Sequence, residues 1–163
     1  KASDARVRGT PRTQPRTSPK VPVPPANIFP IPVELSAQEA ASEYERKIKI
    51  FFGDQFPVFD IILLGLGDNG HTASLFPHTS ILNEKIRLVK EVFVPELNTY
   101  RISFTVTLIN KATKIVFFVT GKSKATIINT IFTGETNPNE YPAQLIRKEK
   151  TYWFIDKAAN SQL

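Results

Sequence analysis

The sequence predicts an α/β domain built on an open, mostly parallel sheet with helices on both faces. Three observations point there. The run Asp60–Gly67 (DIILLGLG) is apolar at consecutive positions, as a strand covered on both sides must be. A second apolar run, KIVFFVT at Lys114–Thr120, follows after an intervening helical pattern, so strands and helices alternate along the chain. The length of 163 residues is that of one domain, which can bury roughly 70% of the surface its unfolded chain exposes.

Taken in order, residues 1–20 come first. They hold Lys1, Arg6, Arg8, Arg12, Arg16 and Lys20 against Asp4 alone and almost nothing large and apolar, so the segment reads as disordered and basic. Eight of the thirteen prolines lie at or before Pro32, which makes Val21–Pro32 an extended lead into the body, residues 21–163. Ser36 followed by Glu39 is a capping box, and apolar residues recur at helical spacing until Gly53. Beyond the central strand Asp60–Gly67, the pattern predicts strands at Leu88–Val94 and from Arg101 (RISFT), and a helix over Val106–Ala112. A strand at Lys114–Thr120, a helix from Ser123 to Phe132 and a strand at Tyr152–Asp156 (YWFID) complete the reading.

Composition excludes several functions. With no cysteine there is neither a disulfide nor a thiolate metal site, and two histidines cannot cage zinc unaided, so no metal and no cofactor are expected. No apolar run reaches membrane-span length and no early stretch reads as a secretory signal, so the expectation is a cytoplasmic protein with no membrane partner. The net charge of +6 belongs almost entirely to residues 1–20. The remaining 15 basic and 14 acidic residues nearly cancel, and without aromatics between its cations the head is not expected to grip nucleic acid. A chain that lacks methionine and begins at Lys1 reads as a fragment or a processed form.

Chemistry concentrates at the carboxyl end of the central strand, where α/β sheets bind ligands. Three glycines crowd one turn there, Gly65-Leu66-Gly67-Asp68-Asn69-Gly70-His71. Gly67 and Gly70 would let backbone N–H groups approach a ligand oxygen, aided by any helix that starts at His71–Ser74. The spacing Gly65, Gly67, Gly70 also fits a dinucleotide loop, but no long helix or acidic ribose partner follows, so that reading is set aside. His71 is a candidate general base because a neutral ring can take a proton near pH 7. Asp68 is either a solvated turn residue or a support for His71. His78 reads as a surface loop residue. Arg101 and Lys124, each at a sheet end, could hold a phosphate, the first as a fork and the second as a point charge.

These residues resemble a known family. The segments LGLGDNGHTASLFP (Leu64–Pro77), RISFTVTLIN (Arg101–Asn110), FFVTGKSKA (Phe117–Ala125), YPAQLI (Tyr141–Ile146) and WFIDKAA (Trp153–Ala159) are similar in order and spacing to the 6-phosphogluconolactonases. The resemblance runs from about Pro22 to the C-terminus. It implies a Rossmann-like fold and hydrolysis of 6-phosphoglucono-δ-lactone, a small-molecule sugar-phosphate lactone, in the oxidative pentose phosphate pathway. It further implies His71 as general base, Asp68 and Asn69 beside it, an oxyanion held by amides of the Gly-rich turn, and Arg101 and Lys124 on the substrate phosphate. The alternatives are the related glucosamine-6-phosphate isomerase/deaminase activity, or an inactive, N-terminally truncated chain. Two departures stand out. Asn69 replaces the family's usual aspartate before the Gly-His pair, and the family's further N-terminal β/α units are missing: Ser3-Asp4-Ala5-Arg6 lie where its Asp-Glu-Arg turn would fall, and the Arg/Pro/Thr run after them matches nothing, as if a reading-frame error had replaced it.

Overall fold

The computed structural model describes residues 22–163. The expected basic segment 1–20 lies outside the described residues.

Helix α1 (Ala37–Phe52) begins where predicted. The Ser36 side chain accepts from the Glu39 amide while the Glu39 carboxylate takes the Ser36 N–H, and the helix stops at Gly53, whose φ of 65° suits a residue without Cβ. Strands β1 (Ile61–Leu64), β4 (Lys114–Val119) and β5 (Thr151–Ile155) form a parallel sheet in the order β1-β4-β5, registered by Ile61 against Lys114 and by Ile115 against Thr151. Strands β2 (Val89–Val94) and β3 (Thr99–Phe104) instead pair antiparallel as a separate hairpin. Their connection is a short turn, Pro95–Leu97, closed by Asn98 in the left-handed region. That connection is too short for a crossover helix, so a parallel β2–β3 pair is sterically excluded. Helix α2 spans only Val106–Ile109, capped by the Thr105 side chain, and α3 covers Ala125–Thr133 after a 3-10 turn at Lys122–Lys124.

The predicted mixed α/β architecture with its parallel sheet is present. Ile62, Leu64, Ile115, Phe117 and Val119 point from one sheet face into a core shared with Ile81, Ile109 and Ile128. Each such side chain contributes roughly 1.5–3 kcal/mol by leaving water. A second cluster, Ala41, Ile48, Leu88, Val89 and Leu108, joins α1 to the hairpin, and Phe59 and Phe104 touch both clusters. The doubly apolar pattern of β1 led to the expectation of helices on both faces. Among the described residues only one face is covered, and on the other Ile61, Leu63, Phe118, Tyr152 and Phe154 are 52–65% exposed.

One buried charge ties these parts together. Glu45 of α1, 6% exposed, receives the Leu88 and Val89 amides at 3.0 and 3.1 Å and Arg87 Nε at 2.9 Å, and pairs with Lys49 at 2.6 Å. Burial pushes its carboxyl up, but these donors outweigh burial and hold it at about 2.

Candidate active site

The chain leaves β1 at Leu64 and folds into a tight turn held by its own hydrogen bonds. Gly67 N–H donates to the His71 carbonyl at 2.9 Å, Gly70 N–H to the Gly67 carbonyl at 3.0 Å, and Thr72 Oγ1 to the Gly65 carbonyl at 2.9 Å. Two outside contacts anchor it: Ser74 N–H donates to Ser103 Oγ of β3 at 3.1 Å, and Ala143 N–H to the Gly70 carbonyl at 2.9 Å. Gly70 has φ +76°, and a Cβ there would press on Tyr141, so glycine is required twice over. Ala73 also has positive φ, at 50°, an uncommon conformation for a residue with a Cβ.

Two sequence expectations change here. The Gly67 and Gly70 N–H groups, expected to approach a ligand oxygen, donate inside the turn in this structure. No helix starts at His71–Ser74; the segment closes instead as a bridge between Thr72 and Leu75, and supplies no helix dipole. The role of Gly67 lies elsewhere. A Cβ on it would fall inside the His71 imidazole, so the missing side chain is the seat of the ring.

His71 is held on three sides. Phe76 stacks on it with ring centroids 4.2 Å apart, Gly67 lies beneath, and Nδ1 is 2.6 Å from Asn69 Oδ1. The same Asn69 atom accepts the His71 backbone N–H at 3.3 Å. A backbone N–H can only donate, so that atom is the amide oxygen, and Nδ1 must be the protonated ring nitrogen. Nε2 then carries the lone pair. Burial lowers the ring's pKa below its ordinary value and the Lys124 ammonium lowers it further, against an opposite pull from Asp68.

His71 faces a cleft of about 420 Å³ whose wall includes Asn69, Ser74, Phe76, Glu96 and Arg101. Arg101 reaches it from β3, opposite Val92. Lys124 does not line this cleft; its Nζ sits 2.5 Å from Asp68 Oδ1, and Asp68 is 74% exposed. Asp68 therefore neutralises Lys124 instead of touching the imidazole, and Asn69 is the residue on the ring. His78 stands apart, its Nε2 3.0 Å from Glu140 Oε1 on an exposed surface. Phe76, Ser74 and Glu96 were not singled out from sequence; Phe76, five residues after His71 in GHTASLF, was the one signal available. Among the described residues no cluster of three or more His, Cys, Asp or Glu stands together to hold a metal, and no helix is long and apolar enough to cross a membrane.

The sequence pattern of the glucosamine-6-phosphate isomerases/6-phosphogluconolactonase family matches residues 12–153. The chain belongs to this family. The match reaches upstream of Pro22 into residues 12–21, which the sequence reading left out. A 6-phosphogluconolactonase from Synechocystis sp. is 42% identical over 149 residues, 88% of this chain and 61% of the relative. The Homo sapiens 6-phosphogluconolactonase is 35% identical over 144 residues, 86% of this chain and 55% of the relative. Among solved structures, the devB protein superposes with a TM-score of 0.78 at 32% identity, covering 88% of this chain and 62% of that one. The Trypanosoma cruzi 6-phosphogluconolactonase gives a TM-score of 0.74 at 29% identity, with 86% and 61% covered. The chain thus spans about 55–61% of the length of these two curated relatives. A monomeric glucosamine-6-phosphate deaminase, at 22% identity and a TM-score of 0.58, shares the fold.

Proposed function

We propose that this member of the family hydrolyses 6-phosphoglucono-δ-lactone to 6-phosphogluconate, the lactone-opening reaction of the oxidative pentose phosphate pathway, with His71 as general base. The observation that carries the reading is the fixed tautomer: Asn69 Oδ1 on Nδ1–H at 2.6 Å leaves the lone pair on Nε2 of a ring that lines a cleft together with Arg101. Both curated relatives above are named 6-phosphogluconolactonase, which favours the lactone over an amino sugar.

In this mechanism Nε2 takes a proton from water as the water oxygen bonds to the lactone carbonyl carbon. The tetrahedral intermediate then collapses, the bond from that carbon to the ring oxygen breaks, and the imidazolium returns its proton to the departing oxygen. Product carboxylic acid ionises and releases the proton that an assay detects. A positioned base supplies about 10²–10⁴ in rate. Arg101 holds the phosphate as a bidentate fork, which fixes the carbonyl at the other end against Nε2. Lys124 joins once its ammonium exchanges Asp68 for the phosphate, an exchange that costs little because an exposed ion pair is worth about 0–1 kcal/mol.

The test is acid release by the chain given fresh 6-phosphogluconolactone, compared with spontaneous opening, with ammonia release from glucosamine 6-phosphate measured in parallel. Acid release above background supports the proposal. Ammonia release assigns deaminase chemistry instead, and neither product identifies an inactive chain.

A further inference from the structure

The cleft that holds His71 lies between two bodies, and one side chain joins them. The first body is the turn after β1, residues 65–76, which presents Asn69, His71 and Phe76; the second is the β2–β3 hairpin, which presents Val94 and Arg101. Leu75 and Val92 belong to one apolar cluster, but apolar packing is not directional and leaves the offset between the two bodies open. Ser103 sets that offset. Its Oγ accepts the Ser74 N–H at 3.1 Å, and among the described residues this is the one hydrogen bond between the turn and the hairpin. The single hydroxyl proton goes to the Phe104 carbonyl at 2.9 Å, so towards Ser74 the oxygen can only accept. Ser103 is 4% exposed, so the contact is made away from water and is internal to the domain, whatever packs outside it.

Two features tie this contact to the chemistry. Ser103 and Arg101 are two apart on β3, opposite Lys90 and Val92, and so share one face of the hairpin. The hydroxyl that grips the turn and the guanidinium assigned to the phosphate therefore stand on one strand. Ser74 also follows Ala73, whose φ of 50° persists only while surrounding contacts impose it, and both residues line the cleft. We propose that Ser103 is a positioning residue for lactone hydrolysis: its hydroxyl fixes the spacing between the base on the turn and the phosphate site on β3, and so brings the carbonyl of an Arg101-anchored lactone into line with His71. The proposal rests on the lactonase reading above. The reach of a sugar phosphate is set by its own bonds, so a slip of about 1 Å between the two bodies leaves one end bound and the other out of line, at a cost of up to about 10²-fold in rate. Ser103 itself touches neither water nor lactone in this role and acts through Ser74 and Arg101.

Steady-state kinetics of the full chain, read as acid release from 6-phosphogluconolactone above spontaneous opening, test it in a double-variant cycle. Ser103→Ala should lower kcat about 10- to 100-fold with KM within a few-fold, because Arg101 still binds the phosphate. In an Arg101→Ala background the same change should cost less than about twofold, because no anchored lactone remains to be misaligned. Ser103→Thr keeps the hydroxyl and should stay within about threefold of the unaltered chain. Should Ser103→Ala lose its far-UV circular dichroism, Ser103→Cys, similar in volume but a weak acceptor, carries the same expectation. Equal losses in both backgrounds would mark a merely structural role and overturn the proposal. An unchanged Ser103→Ala, or a Ser103→Thr as slow as Ser103→Ala, would overturn it equally. An unaltered chain that releases no acid above background sinks the lactonase reading and this proposal with it, whereas an active chain that His71→Ala silences and Ser103→Ala does not slow sinks this proposal alone.

Discussion

Gly67 and His71 share one volume: the space that a side chain at residue 67 would need is filled by the imidazole of residue 71. The Gly-rich turn is therefore built around a ring. Gly67→Ala should drive His71 off Phe76 and out of line with Asn69, lowering kcat for lactone hydrolysis by about 10²-fold or more while leaving KM within a few-fold, since Arg101 is untouched. Steady-state kinetics with circular dichroism would separate this from unfolding. A variant with wild-type kcat would show that the ring's seat is irrelevant to catalysis.

The pH profile should report the same imidazole. In the proposed role His71 can act as a base only when neutral, so activity should be lost as pH falls through its pKa. Burial and Lys124 place that pKa below the ordinary imidazole value of 6.5. Lys124→Gln removes a cation that disfavours the charged ring, so the acid limb of kcat/KM should move to higher pH. Asp68→Asn removes an anion that favours it, so the limb should move to lower pH. Rate profiles of the three proteins provide the measurement, and opposite shifts in the two variants are required.

Asn69→Asp should raise the same limb for a different reason. A carboxylate on Nδ1–H stabilises the imidazolium, which the amide present here cannot do. Asn69→Ala should instead lower kcat without that upward shift, because the tautomer is then unfixed. Identical profiles for wild type and Asn69→Asp would break the link between residue 69 and the base.

Glu45 sets a stability prediction away from the site. Its carboxyl sits at about 2 when folded against 4.5 unfolded, so its contribution, roughly 3 kcal/mol, is complete above pH 4.5 and lost as pH falls toward about 2. Glu45→Gln should cost about 2–4 kcal/mol in urea unfolding at pH 7 and flatten the dependence between pH 5 and 3, because Arg87, Lys49 and the Leu88 and Val89 amides lose a charged acceptor. Unchanged stability would mean that the network contributes no net free energy.

What the sequence revealed, and what it hid, follows from which forces are local. Helix α1 was legible because Ser36, Glu39 and Gly53 carry its start and stop within a few residues. Strands β1, β4 and β5 were legible as apolar runs, yet a run apolar on both sides cannot say whether a partner exists for each side, and the exposed side of β1 is the result. The antiparallel pairing of β2 and β3 depends on a short connection closed by Asn98, a turn that composition did not flag. At the site, the sequence drew attention to His71, Asn69 and Arg101 because their residue types are scarce or chemically distinct, and the structure brings the three to one cleft. The Gly-rich turn was read as a ligand cradle because glycine spacing signals close approach without saying to what, and here the close approach is to a side chain of the same turn. Glu45 was invisible because its donors, Arg87 and the Leu88 and Val89 amides, lie more than forty residues away in sequence.

The most direct test of the central claim is the rate of lactone hydrolysis by His71→Ala against the unaltered chain at one pH above the ring's titration, under conditions where both are folded. A base at Nε2 predicts a loss of about 10²–10⁴-fold in kcat, with substrate affinity largely retained through Arg101. Hydrolysis within about twofold of the unaltered chain would contradict the account.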